Sequence, residues 1–103
     1  MYVRQFGYKI VPSQEVKAVA LCRQFADALC ERGFRARVVV DRPTDATLLI
    51  VEEHLSLSSM VAAQQALECD ENFRSALCAW ASEFYPLVQA SMPAVVMREQ
   101  KAA

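Results

Sequence analysis

Apolar and polar positions alternate along this chain with two distinct periods, and the changes of period mark out its elements. From Tyr2 to Val11, Phe6, Tyr8 and Ile10 alternate with Gln5, Gly7 and Lys9, a period of two that predicts a strand ended by Pro12. The period then lengthens. Ala18, Leu21, Cys22, Phe25 and Leu29 recur at helical spacing, with Lys17, Gln24, Asp27 and Glu31 between them. This predicts an amphipathic helix over 14–32, with Ser13 as its N-cap and Gly33 in the left-handed position beyond its end.

The strongest strand signal follows. Residues 35–41 and 47–53 are runs rich in Val, Leu and Ile, joined by a short segment containing Pro43 between Asp41 and Asp45. So few residues cannot make a parallel crossover, so the pair is expected to be an antiparallel hairpin. Phe34, Ala36, Val38 and Val40 fall on one face and Arg35, Arg37 and Val39 on the other. The second run is apolar on both faces, with Leu48 and Ile50 opposed to Leu49 and Val51. Such a run is expected where both faces are covered, whether by a helix of this chain or by another chain; the alternative is that Val39, Leu48 and Ile50 are single exposed apolar residues.

Ser56 or Ser58 can cap a helix through Met60 and Leu67, and the run Asp70-Glu71-Asn72 can break it and cap the next. Phe73, Leu77, Trp80, Phe84 and Leu87 then form a heptad-like stripe, too short for a coiled coil and ended by Pro86. Residues 93–98 read as a short edge strand opened by proline. The resulting order, βαββαβ, is that of the ferredoxin-like arrangement: an α+β fold with a small antiparallel sheet and helices on one face. An open Rossmann-type layer is the alternative, and the short connection before Leu48 argues against it.

With 103 residues, 54% of them hydrophobic and 22% charged, the chain fits a single domain with its own core. No uncharged run is long enough to span a bilayer, and residues 1–11 carry no secretory pattern, so a cytoplasmic protein without membrane attachment is expected. The four cysteines, Cys22, Cys30, Cys69 and Cys78, form no CxxC pair. Cys22 and Cys30 would lie ~12 Å apart along one helix, too far for a disulfide, so reduced thiols are expected. Two glycines cannot build a phosphate-wrapping loop, and no cofactor or metal site is legible.

The net charge of −1 conceals an excess of basic residues in 1–42 and of acidic residues in 43–103, scattered in both halves. The chemistry-bearing cluster is Glu52-Glu53-His54, which holds the single histidine. Neighbours on a strand point to opposite faces, so Glu53 and His54 are not expected to converge, and solvated strand-end charge is the simpler expectation. The surplus of apolar and aromatic positions points instead to a protein-interaction module, a regulator, adaptor or inhibitor, acting as a homodimer. Its expected contacts are Arg35, Arg37, Val39, Leu48 and Ile50 from the sheet and Trp80, Phe84 and Tyr85 from the last helix. The alternatives are nucleic-acid binding by an Arg4, Arg35, Arg37 face and a small enzyme that uses His54 with a nearby Glu or Cys.

Overall fold

In the computed structural model, which describes residues 1–41 and 46–98, the chain folds as β1 (Tyr2–Ile10), α1 (Glu15–Glu31), β2 (Arg35–Asp41), β3 (Thr47–His54), α2 (Leu57–Glu68), α3 (Glu71–Phe84), a 3-10 turn (Tyr85–Leu87) and β4 (Val88–Arg98). The strands form one antiparallel sheet in the order β2-β3-β1-β4, the ferredoxin-like topology. The turn expected around Pro43 lies outside the described residues.

Local chemistry explains the element ends. The Gln14 amide donates to the Val11 carbonyl at 3.1 Å, closing a turn with Pro12 and Ser13 at its centre. Ser13 has φ +74°, the value that a type II turn requires at its third position. Ser13 is therefore a turn residue and not the expected cap; Gln14 stands at the cap without a side-chain bond. At the other end of α1, Gly33 (φ +88°) donates to Cys30 and Phe34 donates to Leu29. These two bonds are the Schellman motif, and Phe34 packs with Leu29 beside them. Ser56 caps α2 in a reciprocal pair with Ser59, and Asp70 caps α3 by accepting from the Phe73 amide at 2.9 Å. The Phe73 amide and the Arg32 guanidinium hold the Asp70 carboxyl below its ordinary range, so this cap persists through neutral pH and is lost only as pH falls through that lowered value.

The last strand is longer than the sequence indicated, starting at Val88 and not at Pro93. It is an edge strand with two register shifts against β1. One leaves Pro93 and Ala94 opposite the single residue Phe6, the kind of bulge where a residue without an N–H is tolerated.

The core lies between one sheet face and the helices. Tyr8, Ile10, Leu48 and Ile50 from the sheet meet Leu21 and Cys22 of α1 and Phe84 of α3. Trp80 stacks on Phe84 with ring centroids 4.5 Å apart, and its indole N–H donates to the Leu21 carbonyl at 2.6 Å, tying α3 to α1. A second cluster of Leu29, Phe34 and Phe73 closes the far end of α1. By contrast, Met60 is the only buried residue of α2.

Phe84 is fully buried at the junction of α1, α3 and the sheet. Phe84→Ala should lower unfolding free energy by about 3–5 kcal/mol in urea denaturation. Val16→Ala, at a residue 86% exposed, should change it by less than about 0.5 kcal/mol.

Candidate functional site

Strand register decides which groups meet. Tyr8 pairs with Leu48 and Phe6 with Ile50, so the same face carries Arg4 opposite Glu52 and Tyr2 opposite His54. This is the helical side of the sheet. Glu52 and His54, two residues apart, therefore project together beneath α2 and are buried, with 2% and 8% of their surfaces exposed. The expectation of solvated strand-end charge is overturned for these two residues. It was the neighbour Glu53 that diverged, pairing on the other face with Arg37 at 2.7 Å.

Glu52 stands at the centre of a buried polar chain. One carboxylate oxygen accepts from Arg4 Nη1 at 3.1 Å; the other faces His54 Nε2 at 3.2 Å. Arg4 also lies over the Phe6 ring, 5.1 Å from its centroid. With its amide oxygen turned toward β1, Gln64 of α2 accepts from Arg4 Nε at 3.2 Å. The edge of the Phe34 ring packs on the His54 imidazole at 5.6 Å. Beyond the imidazole, a cleft of about 380 Å³ opens between α2 and the ends of β2 and β3. Its α2 wall consists of Ser59, Ala63 and Ala66, whose small side chains leave the space, and of Leu67. A second cleft of about 560 Å³ lies on the Arg4 side, bounded by Gln64, Leu67 and Phe73. Arg32 closes the region by donating to Asp70 at 2.9 Å and stacking on Phe73. Among the described residues no cluster of His, Cys, Asp and Glu is suited to hold a metal ion.

The opposite sheet face has a different character. Among the described residues no helix covers it, and alternation places Val3, Val39, Leu49, Met92, Val95 and Met97 there, with Val51 between its cross-strand neighbours Gln5 and Arg37. Met92, Val95 and Met97 are each more than 40% exposed. Of the residues expected to contact a partner, Arg35, Arg37 and Val39 lie on this open face. Leu48 and Ile50 do not; they face the helices and are buried, because they pair with Val40 and Val38 on the core side. Phe84 is likewise core, and Trp80 is mostly occupied by Phe84 and Phe25, while Tyr85 remains half exposed. Arg4 is on the other side of the sheet from Arg35 and Arg37, so the three arginines do not form one face. Met92 escaped the sequence reading because the strand was expected to start at Pro93, whereas Val95 and Met97 fall within the expected strand 93–98 but were not named as contacts.

All four cysteines are free, and burial pushes the Cys22 thiol up to about 12. Cys30, Cys69 and Cys78 are exposed, and none is bonded to His54.

No family model matches this chain, and no curated protein matches it. Solved structures do match it in fold. An uncharacterized NIPSNAP domain protein from Burkholderia xenovorans superposes with a TM-score of 0.74 at 15% identity, covering 97% of this chain and 95% of that one. A NIPSNAP family protein from Agrobacterium tumefaciens gives 0.71 at 15% identity, covering 96% and 92%. An antibiotic biosynthesis monooxygenase gives 0.68 at 14% identity, covering 98% and 100%. Across nearly their whole lengths these proteins share the α+β, ferredoxin-like fold of this chain.

Two outcomes follow from the geometry. Arg4→Met removes a charged partner of the buried Glu52 and should cost about 1–3 kcal/mol in chemical denaturation. A thiol reagent at neutral pH should label three cysteines of the native protein and the fourth, Cys22, only on unfolding, as counted by mass spectrometry.

Proposed function

We propose that this protein works by association through the open face of its sheet, and that the partner there is a second copy of the same chain. The observation that supports this is the apolar face itself. Four strands contribute Val3, Val39, Leu49, Met92, Val95 and Met97 to one side of the sheet that no helix of the described residues covers. Contiguous apolar patches of this kind mark interaction sites. A flat face whose centre is apolar is compatible with itself, because a two-fold interface brings like against like without opposing charges at the middle. The Arg37–Glu53 ion pair would then lie toward the rim, where polar groups belong. A regulator, adaptor or inhibitor built this way would act by assembly and occlusion.

One specific observation favours a second reading, that each subunit also carries an enzyme-type site on its helical side. His54 is bonded to a carboxylate, as acid/base histidines are, and it lines a cleft large enough for a small organic molecule. One of the proteins of similar fold is an antibiotic biosynthesis monooxygenase, which is consistent with such a use of the fold. The two readings are compatible, because they use opposite faces of the sheet.

Light scattering across a wide concentration range tests the first reading. A stable dimer is expected, and the double substitution Val39→Asp with Leu49→Asp should convert it to a folded monomer, with secondary structure retained by circular dichroism. A wild-type chain that is monomeric at every concentration, or a double variant that remains dimeric, rejects it.

A further inference from the structure

We infer that His54 is a general base held ready by Glu52, and that the cleft beside it takes a small, largely apolar organic molecule with one weakly acidic proton. The inference rests on the second reading above and assigns the atoms.

The tautomer comes from the hydrogen bond. Glu52 is ion-paired with Arg4, and a carboxylate can only accept, so the His54 nitrogen facing it, Nε2, is the one that donates. In the neutral ring this leaves the lone pair on Nδ1. Among the described residues Nδ1 has no hydrogen-bond partner. Yet among the described residues no fully buried side-chain nitrogen or oxygen lacks a partner. Nδ1 therefore reaches open space although His54 is 92% buried (8% exposed), and the open space that His54 lines is the cleft under α2. The imidazole thus presents a proton acceptor to a ligand and keeps its other nitrogen on an anion. That arrangement stabilises the imidazolium formed when a proton is taken.

The lining sets the class of molecule. Phe34, Leu55, Ala63, Ala66 and Leu67 make the walls apolar. The charged groups around His54 are mostly neutralised in pairs: Arg4 with Glu52, Arg32 with Asp70, and Glu53 with Arg37. Of the charges that line the cleft, Arg35 and the N-terminal ammonium of Met1 have no ion-pair partner among the described residues, and both favour the anionic product of a proton transfer. α2 contributes no charged side chain to the wall. A ligand that is neutral on entry and anionic after losing its proton suits this balance. In the step, the ligand's X–H bond breaks and its electron pair stays on X. The proton forms a bond to Nδ1, and the anion is left beside an imidazolium that Glu52 balances. Glu52 is a positioning residue here, since it acts through His54.

4-Nitrophenol is a suitable probe, because its ionised form is coloured. With the wild-type full chain, bound nitrophenol should ionise about one pH unit or more below the free compound, as an adjacent cation dictates. His54→Asn should still bind it, by equilibrium dialysis, but leave its ionisation as in solution. Glu52→Gln should bind it with a shift less than half that of wild type. If His54→Asn does not fold, nitrogen NMR of His54 in the wild type replaces it: Nδ1 must gain a proton when nitrophenol is added. Binding with an unshifted midpoint, or a shift that survives in His54→Asn, overturns the base assignment while leaving the cleft as a ligand site. No binding to the wild-type protein overturns both this inference and the reading on which it rests.

Discussion

The register of β1 against β3 is the constraint on which the rest of this molecule depends. These are the two central strands, and each side chain on them has one of two environments. With Tyr8 opposite Leu48 and Phe6 opposite Ile50, the large apolar groups of both strands face the helices and supply the floor of the core. The same alternation, carried two to four residues further, brings Arg4, Glu52 and His54 onto that floor beyond the point where α1 and α3 fill it. A slip of one residue would send the core to solvent and the polar chain with it, so the two are specified together. Burial of Glu52 is tolerated because its oxygens are occupied by Arg4 and His54; an isolated carboxylate there would be strongly disfavoured.

The helices divide the labour on that side. α1 and α3 are fastened to the sheet and to each other by Phe84, Trp80, Leu21 and the Arg32–Asp70 pair. α2 is fastened mainly at Met60, and its inward side chains at 59, 63 and 66 are small. The space beneath it is a consequence of that composition: helix α2 is held at its start by the Ser56–Ser59 cap and by the chain on either side, without a row of large residues to draw it down onto the strands. The cleft at His54 and the one at Arg4 both lie under it.

With every helix of the described residues on one side, the other side of the sheet has no helical cover among those residues. Its apolar residues come from all four strands, and Met92, Val95 and Met97 of β4 are exposed there. The sheet therefore has two unlike sides, an apolar side without helical cover among the described residues and a helix-covered side that carries the polar chain of Arg4, Glu52 and His54. Solved proteins that share the fold at 14–15% identity show how far this scaffold persists while its sequence changes.

Periodicity alone determined the element order, the amphipathic character of α1, the hairpin and the ferredoxin-like topology, because these depend on local spacing and on connections too short for alternatives. Gly33, Ser56 and Asp70 were legible as end signals, since each acts within a few residues of itself. Three things required the tertiary structure. The choice between the two apolar faces of β3 was one: Leu48-Leu49-Ile50-Val51 reads the same in either orientation, and only pairing with Tyr8 and Phe6 sent Leu48 and Ile50 inward. The extent of β4 was another, because Pro93 suggested a beginning where the sheet has a bulge. The last was the site. Glu52 and His54 were visible as residues, but they are buried on the helical side of the sheet, and Arg4, the partner of Glu52, lies 48 positions away in the chain. No local pattern records a contact of that separation; it exists only once β1 and β3 are paired.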